Sequence, residues 1–396
     1  MARILLAWEY GGGLGHIRGL RPIADRLCEL GHEIVWAVRN VGPAASALGD
    51  RKQRVLQAPI SRPKRSEREA ASFCDVMITL GFGDQAELDQ LVRAWLATIE
   101  LVRPDLIISD FSPTASLAVR IAQVPILSLG NGYTLPPAVS PLPPTQPWLA
   151  VPKRRLEAAD ALVTGTVNNV LAARGVEGIA MAAEILRPGA VMQCTFPQLD
   201  HYGERPGDTY YGPMVDRLAP AAAASEILGR ERIFLYLNWA EPRTELILRE
   251  IKRSGVPGLG FVSGVPRQAR KDLSSRKFEL TDQPQDLSVH LASTRLLISH
   301  GGMGTTTQSL LAGIPALMLP SQQEQAMYCH RVEAGGLGIA VPRQAKPATY
   351  GTLLQSAMDP ALVERTAAFA AEHGGFDPVT LYGEIVARAE ALLAGR

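Results

Sequence analysis

Chemistry is concentrated in three places in this sequence: the glycine-flanked histidine at His300, a glycine-rich turn ending at His16, and an apolar run ending at Asp110. In HGGMGTTTQSLLAGIP, from His300 to Pro315, the apolar residues Leu296, Leu297 and Ile298 come first, and Thr305 to Leu311 follows with a helical pattern ended by Gly313 and Pro315. The run reads as a buried strand that turns into a helix through Gly301 and Gly302. Open N–H groups at such a helix start face an anion, with the positive end of the helix dipole behind them. His300 adds a side-chain donor, and Thr305 and Thr306 add hydroxyls. A pyrophosphate is the expected ligand; an ordinary turn capped by threonines is the plainer alternative.

The amino-terminal block supplies a base. Arg3 to Trp8 reads as a first strand, GGGLGH from Gly11 to His16 as a turn, Arg18 to Leu30 as an amphipathic helix ended by Gly31, and Ile34 to Val38 as a second strand. The dinucleotide fingerprint G-x-G-x-x-G is absent, because His16 or Arg18 stands where its last glycine belongs. A histidine here lies at the carboxyl edge of a parallel sheet, where open α/β folds bind ligands. PDLIISD, from Pro104 to Asp110, ends another apolar strand in a carboxylate. Asp110 either holds one ring nitrogen of His16, setting the tautomer of a general base, or caps the helix that starts near Pro113.

Alternating strands and helices run to about Asp200 and resume from Arg232, the pattern of parallel sheets wrapped by helices. With 396 residues, two domains of about 150 to 200 residues are expected. The hinge is placed near Gly212, giving domains over 1–212 and 213–377, with a last helix in 378–396 returning to the first. The 40 basic and 39 acidic residues leave a formal net charge of +1, which gives no polyanion-binding surface and no nucleic-acid partner. Cys28, Cys74, Cys194 and Cys329 are scattered without a C-x-x-C, so neither a disulfide framework nor a zinc site is indicated. The opening residues meet charge and glycine too soon for a signal peptide, and no apolar run reaches about 18 residues, so a cytoplasmic protein without a membrane segment is expected.

Three ordered blocks, PQDL at Pro284–Leu287, the His300 run, and PSQQEQ at Pro320–Gln325, together resemble the nucleotide-sugar signature of family 1 glycosyltransferases. The first-loop histidine and TYYGPMVD at Thr209–Asp216 resemble the same family. The resemblance implies a GT-B fold, an α/β architecture of two doubly wound Rossmann-like domains facing across a cleft. It further implies an inverting transfer in which His16, assisted by Asp110, deprotonates an acceptor hydroxyl, with no cofactor and no metal; no D-x-D motif occurs. On the donor side it assigns Gln285 to the nucleobase, Gln308 to the ribose, and Gly15, His300, Gly301, Gly302, Gly304, Thr305 and Thr306 to the diphosphate region. Glu324 and Gln325 fall to the sugar hydroxyls.

Gln308 replaces the family's usual glutamate, and Gly304–Thr306 is closer to the antibiotic branch, which favours a thymidine over a uridine diphosphate donor. After the second domain's first strand the family carries Gly and Ser or Thr, whereas this chain has Asn238, Trp239, Ala240 and Glu241. The partners implied are a nucleotide sugar and a small, apolar acceptor. Phe73, Met77, Phe82 and Trp95, after the charged run Ser61–Glu69, are candidates to line the acceptor pocket, with ordinary core packing as the alternative. Leu135–Pro152, with seven of the 29 prolines, reads as an ordered irregular loop. A nucleotide-sugar 2-epimerase and a non-catalytic binding protein of the same fold remain alternative functions.

Overall fold

The computed structural model describes residues 1–11, 15–49, 53–61, 69–215 and 218–395. The middle of the first glycine-rich turn and most of the charged run after Ser61 lie outside them. The chain forms two compact units, Met1–Asp216 with Pro378–Arg396, and Arg217–Asp377.

The first unit holds β1 (Arg3–Trp8), β2 (Glu33–Val38), β3 (Arg54–Gln57), β4 (Leu106–Asp110), β5 (Ile126–Gly130) and β6 (Ala190–Gln193). They pair in the order β3-β2-β1-β4-β5-β6, every pairing parallel. Ile4, Leu5, Leu6 and Ala7 are all fully buried, as are Leu106, Ile107 and Ile108. Helices cover both faces of such a sheet, so its central strands read as unbroken apolar runs instead of alternating ones.

The second unit repeats the plan with β7 (Arg232–Asn238), β8 (Gly258–Ser263), β9 (Phe278–Thr281), β10 (Thr294–Ser299), β11 (Ala316–Met318) and β12 (Gly338–Ala340). Its order is β12-β11-β10-β7-β8-β9, again all parallel. In each unit the first and fourth strands are neighbours, and the connections leave them in opposite directions. That is the topological switch point at which open α/β sheets bind ligands, outside the carboxyl ends of the strands.

The helix Gly15–Glu29 buries Ile17, Leu20, Ile23, Ala24 and Leu27, one stripe at helical spacing, and carries Pro22 inside it. The final helix, Pro378–Ala394, packs on it and behind β4 and β5 through Leu381, Ile385 and Ala389. Arg26 donates to the Val379 carbonyl at 2.9 Å. His32 joins this junction: Nε2 pairs with Glu390 at 2.8 Å, Nδ1 accepts the Ala2 N–H, and its side chain is 9% exposed.

Leu135–Pro152 is strapped down within the first unit. Asp160 of the helix Lys153–Ala172 accepts from Ser140 Oγ at 2.9 Å and from the Leu142 N–H, and Thr145 N–H reaches the Ala71 carbonyl at 2.9 Å. No helix among the described residues is long and apolar enough to cross a membrane.

Candidate functional site

In the first unit the switch point lies between β1 and β4. His16 Nδ1 stands 2.7 Å from Asp110 Oδ2. A carboxylate accepts, so in this pair Nδ1 is the donor and sets the tautomer of the ring. The ring stacks on Trp8 with centroids 5.3 Å apart and planes at 23°. Trp8 is itself held by its indole N–H on the Tyr10 carbonyl. Gly11 closes the other side. Its φ is +103°, and a Cβ there would come within 2.3 Å of His16 Nε2. Glycine is therefore required twice at that position, for the backbone angle and for the approach of the ring. Gly15 begins the helix and faces open space.

The helix after β4, Pro113–Ala122, has Ser112 at its N-cap with no side-chain cap bond. Glu9 fills that role. Its carboxyl oxygens accept the N–H of Thr114 at 3.1 Å and that of Ala115. Asp110 is thus the partner of His16 and not the cap. Burial pushes the Glu9 carboxyl up to about 8, against the two N–H groups that hold it down.

Phe73, Met77, Phe82 and Trp95 are all 0% exposed, which corrects their assignment to an acceptor pocket. They are core: Phe73 meets the rings of Phe111 and Tyr133, and Trp95 donates to the Pro59 carbonyl at 3.1 Å. Phe111, the residue after Asp110, is half-buried against the rings of Tyr10, Phe73 and Tyr133, in a left-handed conformation at φ 50°.

In the second unit the glycine turn follows β10. Gly301 has φ +73°, and a Cβ there would meet Cys329 Sγ at 2.1 Å. Gly302 and Gly304 face open space, and Gly302 begins the helix Met303–Leu311 with no side chain capping it. The first-turn N–H groups of this helix lack intrahelical partners. Thr305 is half-buried beside them, whereas Thr306 is wholly buried, so its hydroxyl does not reach a ligand here. Gln308, half-buried, donates its amide N–H to the Gly304 carbonyl at 3.1 Å.

His300 departs from its expected role. Nδ1 donates to the Leu319 carbonyl at 2.9 Å, and Nε2 accepts the N–H of Asn238 at 2.8 Å. Both nitrogens are spent, and the ring offers an anion no donor. Burial pushes its pKa down; the Leu319 carbonyl and Glu241 oppose this and Arg243 adds to it. The ring instead latches the turn after β7 to the ends of β10 and β11. That turn closes on itself: Asn238 Oδ1 accepts the Ala240 N–H, and Thr244 Oγ1 donates to the Asn238 carbonyl.

Arg243, 6% exposed, braces the same edge, pairing with Glu241 at 2.7 Å and donating to the carbonyls of Pro320 and Val341. Burial pushes the Glu241 carboxyl up, but Arg243 brings it below its ordinary value. Gln285 is half-buried and donates to the Gln283 carbonyl at 2.9 Å. Glu324 is half-buried in the first turn of the helix Gln323–Ala334. Gln325 is largely consumed in starting that helix, since its oxygen accepts from Ser321 N–H, Ser321 Oγ and Gln322 N–H. Only its amide group is left for a sugar.

Sequence reasoning missed Glu9, Gly11, Phe111 and Arg243. A glutamate closing the apolar run RILLAW is the signal that pointed to the first.

No family model matches the chain. Among curated proteins, it is 23% identical over 341 residues to the NDP-glycosyltransferase YjiC of Bacillus subtilis, covering 83% of this chain and 82% of that one. It is 25% identical over 361 residues to the zeaxanthin glucosyltransferase of Pseudescherichia vulneris, covering 84% and 85%. Among solved structures, the calicheamicin glycosyltransferase CalG4 superposes with a TM-score of 0.67 at 16% identity over 99% of this chain and 98% of that one. Glycosyltransferase VinC in complex with dTDP gives 0.64 at 15% identity over 98% and 100%. Two parallel six-stranded sheets in this order define the two-domain GT-B fold. The chain is a glycosyltransferase, and over most of its length it is similar to the curated glycosyltransferases just named.

Proposed function

We propose that this enzyme moves a sugar from a nucleoside diphosphate sugar to a hydroxyl of a small, apolar acceptor, with inversion and without a metal. The contact that carries the reading is the 2.7 Å pair of His16 Nδ1 and Asp110. His16 Nε2 takes the proton of the acceptor hydroxyl as its oxygen attacks the anomeric carbon from the face opposite the nucleotide. The bond from that carbon to the phosphate oxygen breaks, and the diphosphate leaves with the electron pair. Its charge is met by the open start of the helix Met303–Leu311 and by the Thr305 hydroxyl, with His300 holding the adjoining turn in place.

A thymidine diphosphate donor is supported by Gln308, whose amide has a single acceptor oxygen and makes a smaller demand on the ribose than a glutamate would, and by the dTDP complex of VinC. The apolar acceptor is supported by the half-buried Phe111 next in sequence to Asp110 and by the zeaxanthin named for one relative. The relatives' names give no support to the epimerase alternative.

His16→Ala is expected to lower turnover by roughly 10²- to 10⁴-fold while leaving dTDP affinity unchanged in calorimetric titration. Wild-type turnover in that variant would remove His16 from the chemistry. EDTA is expected to leave the rate unaltered; abolition by chelation and restoration by magnesium would refute the metal-free step.

A further inference from the structure

Glu9 ends an apolar strand with no solvent exposure. Beyond its two bonds to Thr114 and Ala115, its own N–H bonds Ser112 Oγ at 3.1 Å, and the next N–H, that of Tyr10, reaches the Phe111 carbonyl at 3.2 Å. Residues 9 and 10 are therefore tied to the segment that leaves Asp110. Phe111 sits in that segment at φ 50°, a backbone state that a bulky residue keeps only where its surroundings hold it. The N–H groups of Thr114 and Ala115 are buried helix-start donors that must find an acceptor. Without Glu9, the neighbouring carboxylate is Asp110, and a shift toward those donors would take it away from His16.

We propose that Glu9 is a positioning residue for the His16–Asp110 pair: it caps the helix Pro113–Ala122 from the end of β1 and so keeps Asp110 on His16 Nδ1. The inference rests on His16 being the base.

Long-range proton–nitrogen spectra of the free full-length protein, read through the non-exchanging ring protons of His16, show which nitrogen carries the proton. The signals are assigned by their loss in His16→Ala. Spectra are taken on the alkaline side of about 8, where Glu9 is ionised. Wild type is expected to hold the proton on Nδ1. Glu9→Gln keeps one acceptor and turns an amide N–H toward the other donor, so the proton should divide between Nδ1 and Nε2.

At the same alkaline pH, with a dTDP-glucose donor and a simple phenol as acceptor probe, turnover of Glu9→Gln should fall on the order of 10-fold at unchanged dTDP affinity. In an Asp110→Asn background the same substitution should lower turnover no further, because it acts through Asp110. Wild-type His16 signals in Glu9→Gln would overturn the proposal, whether or not Glu9→Ala folds. Unaltered turnover in His16→Ala would overturn the base assignment instead, and the spectra distinguish the two failures.

Discussion

His300 illustrates how much a side chain's work depends on what already occupies it. Its ring is neutral where it accepts from Asn238, and protonation at Nε2 would set a donor against that N–H. Its pKa lies below the ordinary 6.5, so between that depressed value and 6.5 the unfolded chain binds more protons than the folded one. The latch's contribution to stability is full above 6.5 and is lost as pH falls through the depressed value. Urea unfolding of the wild-type protein should therefore show stability declining on acidification below 6.5, and the decline should be shallower in His300→Gln. Parallel pH profiles for the two proteins would show that the latch carries no proton-linked energy.

At the scale of elements, the two strand-turn-helix units use glycine for different ends. Gly301 makes room for a sulfur in the core of its own unit, and Gly11 makes room for the ring of His16. A methyl at Gly11 would come within 2.3 Å of His16 Nε2 and would strain a φ of +103°, a backbone cost of about 1–3 kcal/mol. Gly11→Ala should thus lose turnover about as severely as His16→Ala, while the second unit binds dTDP as before. An alanine variant that keeps wild-type turnover would mean that His16 reacts from a different rotamer. The turn residues on either side of each strand end matter for the same reason: they set where a ring stands, and the helices set only that it stands near the sheet edge.

Taken whole, the molecule repeats one six-stranded topology twice and gives each copy its own switch point. The His16–Asp110 pair lies at the β1/β4 edge and the glycine turn at the β7/β10 edge, each within its own unit. Amide hydrogen exchange with and without dTDP tests this division of labour. Protection is expected at the start of the helix Met303–Leu311 and around Gln285, and none is expected around Glu9–Gly11. Protection confined to the first unit would reverse the donor assignment.

The strands, the two glycine turns, the terminal helix and the candidate base were legible in the sequence because each is encoded in a short window. Apolar periodicity, a capping or breaking residue and a glycine at a turn act over neighbouring positions. The pairing of His16 with Asp110 was open to inference because Asp110 closes one apolar strand and His16 follows the turn after another, both at carboxyl edges. Tertiary structure alone decided which groups satisfy which. Glu9 caps a helix whose N–H groups lie 105 and 106 positions away, and His300 is latched by Asn238 from 62 positions away. Phe73, Met77, Phe82 and Trp95 carry the same apolar pattern whether they face a pocket or a core, and only packing settled it in favour of the core. A hydrogen bond is won by the donor or acceptor that the fold brings within about 3 Å. Sequence order holds no record of that competition.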